Sequence, residues 1–320
     1  MTDPSLAKAN TNSLKSFIHS HEDFANLSKV GGVGLAILKD EVTNGTPRSS
    51  LWPRINSLSE PWGTEPQFSE AIVERAYTEF ANLGIAKSFS SFDKYLVDID
   101  GELVSFNSFG NQGSSVPIEP LENEGDDLDS PRVSLAKIYE RHSFDPSGID
   151  FCLPVFAYYQ SARNCIVHRD GLASRALAKR ARAEALGATL TDWVKLTGEY
   201  GPLKLKLFEQ DDAISLDYFD SILCYSVLRR LAQDIDKQAI NRMGIDGLTF
   251  RAVRHMQTEW RSDEAEEIHS TATKSVASHL ARFNRVIGSN WRSVEPRLKR
   301  MGLLDGCRKA FATRQGTKPS

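Results

Sequence analysis

The residues best suited to chemistry lie together in one string, Arg163-Asn164-Cys165-Ile166-Val167-His168. A histidine can take up or release a proton near neutral pH, and an arginine fork can hold two phosphoryl oxygens at once. An asparagine amide can orient the imidazole or a ribose hydroxyl. RNA cleavage by the 2′-hydroxyl needs a base for the hydroxyl proton and positive charge beside the phosphate. These residue types make Arg163, Asn164 and His168 candidate catalytic residues.

The surrounding sequence predicts a helix that presents these side chains on one polar strip. The helix should begin near Pro154, because proline suits the first turn, and run through His168. Asn164 and His168 are four residues apart and therefore stack on one face, with Arg163 at its border. The strip also contains Gln160 and Ser161, opposite a core stripe of Val155, Tyr159, Ala162 and Ile166 that is flanked by Tyr158 and Cys165.

The same residues also allow a purely structural interpretation. Arg163 and His168 could instead satisfy buried polar groups between packed helices, and spacing alone leaves both interpretations open. His142 is a weaker candidate for the rim of the same cleft. No cluster of carboxylates lies near the motif, so we expect neither a metal nor another cofactor.

Basic side chains follow the motif and recur at the end of the chain. We predict that Arg169, Arg175 and Lys179 bind RNA phosphates, although Arg175 and Lys179 also fit an ordinary solvent face. Residues 281–320 contain ten Lys and Arg against Glu295 and Asp305, a net charge of +8 in a chain whose total is −3. Residues 289–304 of this segment, which include Trp291, resemble a winged-helix recognition helix. We expect them to contact nucleic acid, an antitoxin or another subunit.

Elsewhere the sequence predicts a mainly α protein with three regions, 1–67, 68–241 and 242–320. Gly31, Gly32 and Gly34 indicate a flexible joint after a first helix, and Asp98 to Gly101 indicates a turn before a strand at 103–109. Residues 111–130 are predicted to form an acidic loop, or a lid over a basic groove, and most of them lie outside the residues that the structure describes. Residues 203–207 should pair with 213–216 as a small β-hairpin, followed by a long helix from Tyr218 to about Asn241 and three or four C-terminal helices.

The string R-N-C-I-V-H, followed by Arg169-Asp170-Gly171, resembles the R-[polar]-x(3)-H signature of the HEPN-superfamily ribonucleases. The predicted order of elements is similar too: an amphipathic helix near 68–90, an acidic connector, the motif helix, a hairpin and a long closing helix. The chain looks most like RiboL-PSP and related HEPN proteins of toxin–antitoxin and phage-defence loci. The resemblance covers about residues 68–241.

This resemblance implies a HEPN-type helical bundle with a helical C-terminal extension, and a homodimer in which two motif helices face each other. Arg163, Asn164 and His168 of both protomers would form one composite cleft, with small Ala157 allowing close approach. The expected activity is a metal-independent endoribonuclease that leaves a 2′,3′-cyclic phosphate and acts as a toxin or in antiviral defence, with a possible antitoxin or defence-system partner.

Two other functions fit the sequence: a catalytically silent HEPN scaffold or nucleotide-binding module, and a DNA-binding regulator that uses the C-terminal helices. The presence of both Arg163 and His168 favours the ribonuclease over the silent module. The sequence shows no secretory signal, no long apolar run, and four widely spaced cysteines. We therefore expect a cytoplasmic protein with reduced thiols and no membrane contact.

Overall fold

The structure is a computed structural model that describes residues 3–44, 70–112, 134–182, 205–258 and 271–314. This part of the chain is 80% helical and contains no strand, which confirms the mainly α prediction. None of its helices is long and apolar enough to cross a membrane. The helices are α1 (Asn12–Thr43), α2 (Glu70–Gln112), α3 (Leu135–His142), α4 (Leu153–His168), α5 (Arg175–Ala181), α6 (Tyr218–Thr258), α7 (Ala272–Arg282), α8 (Trp291–Arg300) and α9 (Leu304–Arg314).

The glycines of α1 do not form the predicted joint, because the helix continues through Gly31, Gly32 and Gly34 to Thr43. Gly31 serves packing instead. A Cβ atom at this position would lie 2.6 Å from Cζ of Phe80, so a larger residue would force that ring to shift. The predicted flexible joint is therefore wrong.

The turn predicted at Asp98 to Gly101 and the strand predicted at 103–109 are also wrong, because α2 runs unbroken across both. Ile99 and Leu103 are fully buried one turn apart, and their tertiary packing compensates for the weak helix propensity of Gly101. Asp98 pairs with Lys94 at i−4, an arrangement that a helix allows and a turn does not.

The described residues fall into two compact units, and three of the four boundaries between them lie inside the long helices α1, α2 and α6. We call Ile18–Phe92 with Ser147–Leu231 the motif unit, because it contains the candidate catalytic residues. We call Met1–Phe17, Asp93–Pro146 and Ala232–Ser320 the terminal unit. The three-region division made from the sequence stays a prediction.

The terminal unit has its own apolar core, built from the second part of α6 and from α7, α8 and α9. Helix α6 bends at Gly244, whose φ of 61° and ψ of −166° interrupt the helical backbone close to the predicted end at Asn241. Val276, Leu280, Val294 and Leu298 are buried where α7 and α8 meet. The C-terminal region is therefore helical, as predicted.

The predicted β-hairpin is not present in the described residues, because the segment from 205 to 217 contains no strand. Its backbone pairs with the loop after α4, in a single antiparallel bridge between Leu172 and Ala213. Ile214 N donates to Gly171 O over 2.8 Å, and Ala173 N donates to Asp212 O over 2.8 Å. The residues around Ala213 thus pair with the loop that follows α4.

Candidate functional site

The helix predicted to hold the motif, α4, begins at Leu153 with Pro154 in its first turn and ends at His168. Its inward side matches the predicted core, because five predicted core or flanking residues are buried and Ile166 is half-buried. The buried ones are Val155, Tyr158, Tyr159, Ala162 and Cys165. The ring of Phe156 packs against Phe89 and Phe92 of α2. Packing on both flanks fixes the helix within the motif unit.

The outward side of α4 presents the predicted polar strip. Asn164 and His168 are exposed, and Arg163 is half-buried at the border of the strip. The guanidinium of Arg163 donates from Nη1 to Oδ1 of Asn164 over 3.1 Å, which turns this cation toward the strip. The structure therefore brings two of the three predicted catalytic side chains into direct contact and places the third on the same helix face, four residues further on.

The backbone after His168 turns sharply to end the helix. Arg169 N and Gly171 N both donate to Cys165 O, over 3.0 and 3.1 Å. Asp170 and Gly171 lie in the left-handed region, with φ values of 51° and 77°. Glycine adopts this conformation without the steric cost of a Cβ atom, which accounts for its position three residues after His168. The turn fixes the direction in which the chain leaves the motif.

Arg169, which we predicted to bind RNA, is engaged in an ion pair. Its Nη2 lies 2.9 Å from Oδ1 of Asp211, and its Nε donates to Leu172 O over 3.3 Å. Arg182 forms a similar ion pair with Glu209. The acidic tip of the 205–217 segment, Glu209 to Asp212, thus neutralises two bases that flank the motif helix.

Arg175 and Lys179, the other two predicted RNA-binding residues, are exposed on α5. Helix α5 packs against α4, and it starts at Ser174, whose hydroxyl accepts a hydrogen bond from Leu177 N. Leu177 and Ala178 are buried on its other side, so the two bases point to solvent. Among the described residues, neither of them forms an ion pair with a carboxylate.

The buried carboxyl group of Asp220 contacts the inward side of α4, and the sequence analysis did not predict it. Tyr159 donates from its hydroxyl to Oδ1 of Asp220 over 3.1 Å. Burial raises the pKa of Asp220 to about 6, although Asp217 N donates to its Oδ2 and Lys206 lies 3.9 Å away. The side chain of Asp217 caps α6 by accepting a hydrogen bond from Asp220 N, and the carboxylate of Asp220 accepts one from Asp217 N. This Asp-x-x-Asp spacing is the sequence signal that could have indicated the buried carboxyl group.

His142 is too deeply buried for a cleft rim, because only 2% of its side chain is exposed. Its Nε2 is 2.7 Å from Oδ1 of Asp100, and Arg141 pairs with the other oxygen of the same carboxylate. The prediction that His142 lies at the rim of the cleft is wrong. Across the ranges that the structure describes, no three His, Cys, Asp or Glu side chains are placed to hold a metal ion.

The chain was compared with family models, with curated proteins and with solved structures. No family model matches it. No curated protein and no solved structure matches it either.

Proposed function

We propose that this protein is a HEPN-type, metal-independent RNA endonuclease whose catalytic residues are Arg163, Asn164 and His168. The observation that carries the proposal is the polar strip of α4. Asn164 and His168 are exposed one turn apart, and Arg163 reaches Asn164 through a 3.1 Å hydrogen bond. A helix that only filled a core would bury this side as well as the other. The strip supplies a proton acceptor, an amide and a phosphate-binding fork in one place.

In the proposed reaction His168 takes the proton from a ribose 2′-hydroxyl, and the O2′ atom attacks the adjacent phosphorus. The P–O5′ bond breaks, and a second acid protonates the departing O5′. One fragment ends in a 2′,3′-cyclic phosphate and the other begins with a 5′-hydroxyl. Arg163 stabilises the charge that builds on the phosphoryl oxygens, and Asn164 holds the guanidinium or the ribose in position.

The electrostatics at the end of α4 agree with a role for several cations. A helix C-terminus carries partial negative charge, so a phosphate placed there needs positive side chains to offset it. Arg163 and His168 lie in the last two turns, and exposed Arg175 and Lys179 follow on the packed helix α5. We assign Arg175 and Lys179, together with Arg169, to phosphate binding.

The second acid is supplied, in this proposal, by His168 of a second copy of the chain in a homodimer. Half-buried Ala157, on the polar side of α4, would let two such helices approach closely. The four cysteines are free and buried, which supports a cytoplasmic enzyme. We propose a setting in toxin–antitoxin or antiviral defence systems, where an antitoxin or a defence partner would control the activity.

The proposal is tested with purified full-length protein, incubated with labelled RNA in the presence of a metal chelator. We expect the wild type to cleave, and His168→Ala and Arg163→Ala each to lose at least about a hundredfold in rate, the loss expected when one proton-transfer or charge-stabilising group is removed. Two exposed residues of the motif unit serve as matched controls, His19→Ala and Arg75→Ala, and both should retain wild-type activity.

Cleavage by wild type and by both motif variants at the same rate would refute the assignment of the site. The absence of cleavage by a pure, folded wild type, with cellular extracts added to supply an activator, would refute the ribonuclease proposal itself. Folding of each variant is checked by its thermal unfolding midpoint, and that of His168→Ala should stay near the wild-type value because this side chain is exposed.

A further inference from the structure

The terminal unit exposes a tryptophan beside an arginine. Trp291 is the first residue of α8, and 45% of its surface is exposed. The guanidinium of Arg292 lies 5.4 Å from the centre of its ring, within the range of a cation–π contact. Ile287 in the preceding loop is 54% exposed. A large aromatic side chain in solvent next to positive charge is typical of surfaces on which nucleobases stack.

The loop that leads into α8 is held rigidly. Asn284 is buried and donates from its side chain to Asn10 O over 2.9 Å, while Asn10 N donates to Asn284 O. Two residues later, Val286 is buried and bonded to Leu280 O. Ile287 N donates to Ser5 O over 2.9 Å. The loop therefore presents its outward side chains in fixed positions, without an ordering cost on binding.

Arg285 adopts a conformation that side chains rarely occupy. Its φ of 53° places a bulky residue in the left-handed region, where the Cβ atom costs about 1 kcal/mol. The side chain is exposed, and within the described residues it makes neither an ion pair nor a hydrogen bond. Its conformation thus directs an uncompensated cation into solvent, three residues before Gly288, where φ is 76°.

Among the described residues of the terminal unit, several carboxylates already lie beside cations of their own. Asp246 pairs with both Arg297 and Arg300, and Glu295 lies 3.3 Å from Lys299 and 4.0 Å from Arg308. Asp3 at the start of the chain lies within electrostatic reach of Arg297. These carboxylates pair with cations other than Arg285 and Arg292, so the charge of these two arginines favours an anionic partner.

We propose that Trp291, Ile287, Arg285 and Arg292 form a binding surface for single-stranded RNA, which we call the Trp291 surface. An unpaired base stacks on the indole of Trp291 and against Ile287, and the neighbouring phosphates pair with Arg285 and Arg292. A single strand fits better than a duplex, because stacking on an exposed ring needs a base free of its pair. Arg297 and Arg300, which a groove-reading helix would use, are instead held by Asp246.

The choice of RNA rests on the proposed function, whereas the stacking and charge arguments do not. The Trp291 surface lies in the terminal unit and the candidate catalytic strip in the motif unit. Binding and cleavage can therefore be measured separately, by using His168→Ala as the background in which RNA is bound but not cut.

The test measures fluorescence anisotropy of a short labelled single-stranded RNA with full-length His168→Ala protein. Adding Trp291→Ala should weaken binding by about tenfold or more, while Trp291→Phe keeps a stacking ring and should stay within about threefold of the background. Arg285→Ala and Arg292→Ala should each lower the slope of log affinity against log salt by about 0.7. Lys237→Ala, at an exposed lysine of α6 in the same unit, is the matched control and should leave affinity nearly unchanged.

Unchanged RNA affinity in Trp291→Ala would overturn the proposal, even in a protein that cleaves RNA. Tighter binding of duplex DNA or of single-stranded DNA of the same sequence would overturn the assignment to single-stranded RNA. If the wild type binds RNA through Trp291 but never cleaves it, the Trp291 surface is supported and the proposed ribonuclease fails. Thermal unfolding of each variant excludes a loss of binding through misfolding.

Discussion

The hydroxyl of Tyr159 donates a hydrogen bond to the buried carboxylate of Asp220 across 3.1 Å. Tyr159 lies on the inward side of α4, nine residues before His168, and Asp220 lies in the first turn of α6. This contact joins the motif helix to the start of the longest helix that follows it. It places a carboxyl group with a pKa of about 6 against the inward side of the motif helix.

Replacing Tyr159 with phenylalanine removes this hydrogen bond without removing the ring. Because Asp220 is then left with a less satisfied buried oxygen, we expect the free energy of unfolding to fall by about 1–2 kcal/mol. The pKa of Asp220 should rise further, since the hydrogen bond lowers it. Chemical denaturation measures the loss, and Tyr77→Phe, at a half-buried tyrosine of α2, is the control. An equal free energy of unfolding for Tyr159→Phe and wild type would show that this hydrogen bond does not stabilise the fold.

Gly171 and Gly101 offer a matched pair of substitutions with opposite expected signs. Gly171 has a φ of 77°, so alanine there should destabilise the fold by about 1 kcal/mol. Gly101 lies inside α2 with open space around its Cα atom, so alanine there should stabilise the fold by about 0.5–1 kcal/mol. Thermal unfolding of both variants checks the pair. A stabilising Gly171→Ala would mean that the turn after His168 is built differently.

The helices with regular apolar spacing could be predicted from the sequence, and α4 is the clearest example. Its start near Pro154, its end at His168 and its exposed strip all follow from residue types and a period of 3.6. Gly31 and Gly101 led to wrongly predicted breaks in α1 and α2, because a glycine indicates a turn only where tertiary packing does not stabilise the helix. At Gly31 the ring of Phe80, which is distant in sequence, decides the outcome.

Long-range partners account for what the sequence could not predict about the site. Nothing in the local sequence indicates that Asp211 pairs with Arg169, because the two are forty-two residues apart. The residues around Ala213 alternate as a hairpin strand does, yet Ala213 bridges to Leu172. An alternating pattern indicates that a segment pairs with another part of the chain, but it does not indicate which part.

The ion pair between Arg169 and Asp211 predicts that the acidic tip restrains RNA binding. Asp211→Asn frees the guanidinium and removes a negative charge, so RNA affinity should rise by about two- to fivefold, the size of an exposed ion pair. The rise should diminish at high salt, where both effects are screened. Anisotropy in the His168→Ala background measures it, with Asp23→Asn on α1 as the control. Weaker binding in Asp211→Asn would contradict the phosphate-binding role of Arg169.

Asp236 predicts a pH dependence of stability. Burial raises its pKa from 3.8 to about 7, against hydrogen bonds from the backbone and hydroxyl of Thr11. Between about pH 4 and pH 7 the folded chain therefore holds a proton that the unfolded chain releases. Stability from this group is greatest below pH 4 and is lost as the pH rises to 7.

Asp236→Asn removes this titration and keeps an oxygen for Thr11 N. The stability of the variant relative to wild type should therefore increase by about 1 kcal/mol or more between pH 5 and pH 8. Denaturation at the two pH values measures the difference, and Glu140→Gln, at an exposed carboxyl of α3, should show no such change. A relative stability that falls with pH would mean that Asp236 is buried in its charged form.

The central claim is that Arg163 and His168 direct attack by the 2′-hydroxyl, and the chemistry of the new RNA ends tests it most directly. Labelled RNA is cut by the wild type in a metal chelator, and the fragment ends are identified by mass spectrometry. The account predicts a 2′,3′-cyclic phosphate and a 5′-hydroxyl, produced by wild type and His19→Ala but not by His168→Ala or Arg163→Ala. A 3′-hydroxyl with a 5′-phosphate, or the same cyclic phosphate from the two motif variants at wild-type rate, would contradict it.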